Sequence, residues 1–126
     1  MSTRERDCGD AFTIERHGEL TVITANPALE QLDFDLEEQA AELLLKPLQR
    51  LQNPSIIFDL SQVDNFGSMF LALLIRCWKI ALSRGGTMAL ACVKPRTKEL
   101  LRVTSLDIVW PMYDSRLEAI EALQLD

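Results

Sequence analysis

The chain has 126 residues, 48% hydrophobic and 25% charged, with 13 basic against 19 acidic side chains and a formal net charge of -6. That composition suits one globular core; the chain is too short for two ordinary domains and too apolar to be disordered. The acidic balance sets the whole-molecule field against a nucleic-acid backbone or an anionic membrane surface.

Residues 1–10 are polar and are expected to form a flexible N-terminus, leaving 11–126 as the folded domain. Phe12-Thr13-Ile14 and the β-branched run Leu20 to Thr24 read as two strands of a hairpin, turning at His17-Gly18. Asp35 to Leu51 reads as a helix, because Leu36, Ala40, Leu43, Leu44, Leu48 and Leu51 recur at three- and four-residue steps. Its acids lie in the first half and Lys46 and Arg50 in the last, which complements the helix dipole. Pro47 should kink its last turn.

Ser55 to Leu60 is a continuous apolar run bounded by turn residues, the pattern of a strand buried on both faces. A polar loop, Ser61 to Gly67, leads to a second helix from about Ser68 to Ser83, stopped by Arg84-Gly85-Gly86. Thr87 to Ala91 predicts a strand, and Pro95 can open a third helix running to about Val103. Ile108-Val109-Trp110 predicts a short last strand. Asp114-Ser115 then caps a final helix through Leu123, with Glu118 placed as in a capping box. A hairpin followed by alternating strand and helix predicts an α/β fold: a mixed sheet, mostly parallel, covered by about four helices.

Three cysteines, Cys8, Cys77 and Cys92, have no zinc or redox spacing, and Cys77 and Cys92 sit in apolar runs as small core residues. The N-terminus lacks an apolar signal core, and the stretch Met69 to Leu82 is broken by Arg76 and Lys79, so a cytoplasmic protein is expected. His17, the single histidine, falls in a turn with no pattern of catalytic neighbours. Asp33, Asp35, Glu37 and Glu38 read as a solvated helix start and not as paired acid and base. Gly85-Gly86 follows a helix and precedes a strand, the reverse of a phosphate cradle. No enzyme activity, cofactor or metal is expected.

The second predicted helix is the informative one. Phe70, Leu73, Leu74, Cys77 and Ala81 make one apolar stripe; Leu71, Ile75, Trp78 and Leu82 make another beside it. A helix lying on a sheet needs little more than the first. Either neighbouring helices bury the excess, or part of it is a docking patch with Trp78 as anchor.

The run Asp59-Leu60-Ser61-Gln62-Val63, a short loop, a serine, an apolar helix, Gly85-Gly86, a strand and Val93-Lys94-Pro95 together resemble the anti-sigma-factor-antagonist (STAS) domain, without gaps from about Asp59 to Leu106. The resemblance implies a bacterial regulatory module in partner-switching control of transcription. Its partner would be an anti-sigma factor that is also a serine kinase of the histidine-kinase-like ATPase fold, and the module itself a monomer or weak dimer. The alternative is a constitutive, non-phosphorylated STAS subunit of a stress-signalling or transporter-associated complex.

In that family the loop before this helix usually reads Asp-Ser-Ser-Gly or Asp-Ser-Ala-Gly, and one serine is phosphorylated. Here Gly67-Ser68-Met69-Phe70 stands in its place, with Met69 at the usual acceptor. Ser68 could be the acceptor instead, or it could cap the helix. The partner-binding residues so implied are Asp64, Asn65, Phe66, Gly67, Ser68, Met69, Phe70, Leu71, Ile75 and Trp78. Met69 and Phe70 are expected to turn the loop into an apolar contact surface.

Overall fold

Among the described residues, six strands form one sheet in the order of the chain. In the computed structural model, residues 4–8, 12–26, 38, 41–64 and 67–124 are described. Strands β1 (Arg4–Cys8), β2 (Phe12–His17) and β3 (Leu20–Ala25) run antiparallel. From β3 the sheet continues in parallel through β4 (Ser55–Asp59), β5 (Thr87–Ala91) and β6 (Met112–Tyr113). The β2–β3 hairpin turns through Gly18-Glu19, and Gly18 takes a φ of 67°. A two-residue hairpin loop demands such a left-handed residue, and glycine adopts it without strain.

Each parallel connection carries helical structure. A widened π turn, Ala41–Leu45, runs into Lys46–Leu48; together they are α1. The widening lies just before Pro47, which has no N–H to complete the i→i−4 ladder. The sequence predicts a helix from Asp35, but 27–37 and 39–40 lie outside the described residues. Helix α2 (Ser68–Ser83) crosses from β4 to β5, and α3 (Pro95–Val103) from β5 toward β6. Three successive right-handed crossovers in one direction place their helices on one face. That face holds the larger core, where Phe58, Phe70, Leu74, Leu101 and Trp110 are buried. The opposite face is covered by α4 (Arg116–Gln124) over Leu20, Val22, Ile57 and Ala91. The fold is thus the α/β arrangement that the sequence predicts, a mixed sheet, mostly parallel and covered by helices.

Two expectations are corrected. Residues 4–8 are an edge strand paired with β2, where composition alone predicts a free end. The last strand is Met112–Tyr113, not Ile108 to Trp110. Ser105 turns the chain with a φ of 64°, and Leu106 and Trp110 close helix-like turns onto Leu101 and Leu106. Ile108 is left 84% exposed while Trp110 swings fully into the core. Strand pairing starts one residue later, when the Leu90 N–H donates to the Pro111 carbonyl at 2.9 Å.

The return from α2 to β5 is sterically fixed. The Gly86 N–H donates to the Ala81 carbonyl at 2.7 Å, closing the helix with Gly85 at a φ of 76°. A Cβ on Gly86 would lie 1.9 Å from the Pro54 carbonyl oxygen, so only glycine fits where β4 and β5 begin side by side.

Candidate functional site

The loop between β4 and α2 is held in place from Asp59 as far as Asp64. Asp59 accepts the Ser61 N–H at 2.9 Å, and the Leu60 N–H donates to the Ala91 carbonyl at 3.0 Å. Val63 is fully buried and serves as a plug. Asp64 is tied across to Lys94 by an ion pair of 2.6 Å, joining this loop to the one that opens α3. Both partners are exposed, so the pair orders more than it stabilises. Asn65 and Phe66 lie outside the described residues.

Gly67 is the N-cap of α2, with extended backbone and no side-chain cap bond. Ser68 is therefore the first helical residue and not the cap. The capping role anticipated for it is corrected, because the helix begins one residue earlier than the serine would need.

Phe70 requires a second correction. It is 1% exposed and packs in the core with Leu73, Leu74, Cys77 and Ala81. Helical phase puts it on the sheet side of α2, so it supports the site from beneath and offers no surface. The second stripe behaves differently. Leu71, Ile75 and Trp78 are half-buried, resting their inner edges on the core, and Leu82 is 52% exposed. Trp78 meets the buried Trp110 edge to face, with ring centroids 6.1 Å apart. Such a contact fixes ring orientation and adds roughly 0.5–1.5 kcal/mol beyond area burial. Trp78 is thus held in one orientation with part of its ring accessible.

At the C-terminal ends of the central strands lies a polar cluster that sequence reasoning missed. Arg116, at the start of α4, reaches Asp59 at 2.9 Å, Glu15 at 2.8 Å and the Thr24 hydroxyl. Glu15 also lies 3.3 Å from the His17 ring. The ordinary value of the Arg116 guanidinium is raised further by its bonds to Glu15 and Asp59, which outweigh its partial desolvation. Beside it Cys92 sits at a φ of 59° with its thiol pushed up, first by desolvation and then by the Asp59 charge. Burial pushes the Cys77 thiol up much further. Cys77 is the small core residue anticipated, whereas Cys92 is only half-buried. The partners of Arg116 come from strands 57 and 101 residues away, so no local pattern could reveal them. The one available sign was Asp59 itself, a carboxylate in an otherwise apolar strand.

Charge is also divided unevenly. Within residues 68–104 the basic side chains are Arg76, Lys79, Arg84, Lys94, Arg96, Lys98 and Arg102, and the one acid is Glu99. The remainder of the chain therefore carries nearly all the acidity. Beside α2, a groove of about 410 Å³ separates it from α1. No group of three or more His, Cys, Asp or Glu that could hold a metal occurs among the described residues. Among them, too, no helix is long and apolar enough to cross a membrane.

The sequence model of the STAS domain family matches residues 6–119. The chain belongs to that family. It is 34% identical to the anti-sigma-factor-antagonist (STAS) domain protein from Planctomyces limnophilus, whose structure superposes with a TM-score of 0.77, covering 90% of this chain and 98% of that one. It is 25% identical over 95 residues to the anti-sigma F factor antagonist of Paenibacillus polymyxa, or 75% of this chain and 81% of the relative. The fold also matches a sulfate transporter family protein from Wolinella succinogenes, with a TM-score of 0.68 at 14% identity over 85% of this chain and 86% of that one. Two of these relatives are named anti-sigma-factor antagonists, and the STAS anti-sigma antagonist family is in general not enzymatic.

Proposed function

We propose that this STAS domain is a partner-switching module that docks a regulatory protein on the loop Asp64 to Gly67 and the outward flank of α2. The partner class is an anti-sigma factor and serine kinase of the histidine-kinase-like ATPase fold, met in the cytoplasm, and the control is of transcription. The observation that carries this reading is the half-exposed stripe Leu71, Ile75, Trp78 and Leu82, which begins where the tethered loop ends. Similarity to an anti-sigma F factor antagonist supports the partner class.

Met69 stands where the family's usual acceptor would be, and a thioether cannot take a phosphate. Switching by phosphorylation therefore falls to Ser68 or is absent. A phosphate at the first helical residue would be favoured by the helix dipole and would still repel an acidic partner. The second reading, a constitutive STAS subunit of a signalling or transporter-associated complex, is favoured by this same methionine.

Affinity capture from native lysate separates them. Wild-type protein is expected to retain an ATP-binding kinase, and Trp78→Ala and Met69→Asp to lose it while remaining folded. Normal capture by both variants would remove the docking surface. Permanent co-purification with a larger assembly, without any Ser68 phosphopeptide, would select the second reading.

A further inference from the structure

We propose that the groove between α1 and α2 is a second docking site, shaped for an acidic amphipathic segment of a partner protein. The inference rests on the reading of this domain as a protein-binding module but uses the opposite flank of α2. The buried Leu45 and the half-buried Ile80 form an apolar floor, and Lys46, Gln49, Arg76, Lys79 and one acid, Glu42, stand around it. Lys46 is partnered by Glu42 at 2.9 Å. Arg76 and Lys79 have no hydrogen bond or ion pair among the described residues.

These two cations have no structural role on their own helix. They are three residues apart, a spacing at which like charges repel. α2 contains no acidic side chain to relieve them, and neither lies in its last turn, where the helix dipole would favour a cation. Most other cations of this half of the molecule are engaged: Lys94 with Asp64, Arg102 with Glu99, Arg84 with the Leu51 carbonyl. Both are exposed and hydrated, so they need no counter-charge to fold, but they leave this flank electrostatically complementary to carboxylates.

The floor decides between a bare anion and a polypeptide. A small anion would satisfy Arg76 and Lys79 and leave the accessible apolar lining, chiefly the outer edge of Ile80, uncovered. A segment presenting an apolar side chain to the floor and acids to the rim satisfies both, in the manner of a helix laid in a groove. About 410 Å³ accommodates a few side chains.

The test is an amide-shift titration of the full chain with a synthetic peptide bearing leucines at helical spacing flanked by glutamates. Its twin with every Glu replaced by Gln is the control. Shifts are expected around Leu45, Arg76, Lys79 and Ile80, with at least tenfold weaker binding by the twin and by the Arg76→Glu, Lys79→Glu double variant. Both positions are exposed, so the variant should stay folded; Arg76→Ala provides a milder check. Absence of localised shifts, or equal binding by the twin or by the double variant, overturns the proposal. So does inorganic phosphate or single-stranded DNA moving the same amides at lower concentration, or those amides shifting on simple dilution, which would mark self-association. Trp78→Ala should leave this titration intact. Lost capture with an intact titration, and intact capture with a failed one, therefore assign failure to different surfaces.

Discussion

Replacing Arg116 by Met keeps the length of the side chain and removes the fork that holds three strands to α4. Wild-type Arg116 bonds two carboxylates whose side chains are only 7% and 16% exposed, at 2.9 and 2.8 Å, and the Thr24 hydroxyl as well. Breaking a fully buried ion pair by removing one partner costs roughly 3–5 kcal/mol. Here the arginine side chain is 32% exposed, so water can partly replace it. The loss should be about 2–4 kcal/mol. At a typical unfolding entropy, each kcal/mol is about 4 °C for a chain of this length, so Tm should fall by roughly 8–15 °C. Thermal and urea melts of Arg116→Met, Asp59→Asn and the double variant measure both the loss and its coupling. The effect should also reach the site, because Asp59 shares its other oxygen with the Ser61 N–H. Faster amide exchange at Ser61 is expected in Arg116→Met. A Tm change below about 2 °C, or strictly additive losses in the double variant, would refute the clamp.

Two further outcomes are expected. Gly67→Asp should stabilise the domain by roughly 0.5–1.5 kcal/mol, read as a rise in Tm, because the backbone there is extended, a Cβ meets nothing within 4 Å, and the N-cap is vacant; a lower Tm would contradict that geometry. Cys77 should make the fold alkali-sensitive. Its thiol is held protonated by burial, while the unfolded chain ionises near the ordinary value of 9.0. Its contribution is complete well below pH 9 and is lost as pH rises past it, the slope approaching about 1.4 kcal/mol per unit once the unfolded thiol is ionised. Urea melts across pH 8–10 should show wild type losing about 1.4 kcal/mol more than Cys77→Ala, which keeps the slope due to Cys92; equal losses would contradict the burial of Cys77.

Local chemistry made much of this fold legible. Gly18, Pro95 and the Ser115 cap, whose hydroxyl accepts the Glu118 N–H at 3.1 Å, act within a few residues and stand where the sequence puts them. The misplacements follow from competition that local patterns do not contain. Ile108 and Val109 favour a strand by propensity, but Trp110 is worth more in the core than any pairing they could make. Phe70 looked like part of an apolar loop because it adjoins Met69, yet its phase with Leu73, Leu74 and Cys77 assigns it to the sheet side. The Arg116 clamp and the α1–α2 groove join residues tens of positions apart and left no periodic trace. The second stripe of α2 was readable, because an apolar arc wider than one contact face is a property of a single helix.

Consistency between local preference and global fold differs from one helix to the next, and the difference points to function. α4 has its serine cap, and α3 opens on Pro95 and bridges Glu99 to Arg102. α2 is the longest helix described and meets none of these standards: its cap is an unassisted glycine, it has no acid, two of its cations are unpaired, and its second stripe is half wet. Its stability comes mainly from the inner stripe, with the inner edges of Leu71, Ile75 and Trp78 adding to it. Local rules are broken together mainly where a surface is kept for something else. Because both flanks of this one helix are left incomplete in different ways, one oily and one cationic, a partner that satisfied both would have to grip α2 from two sides. Trp78→Ala and the Arg76→Glu, Lys79→Glu pair should then weaken capture of that partner independently, their losses adding in free energy across a helix that stays rigid.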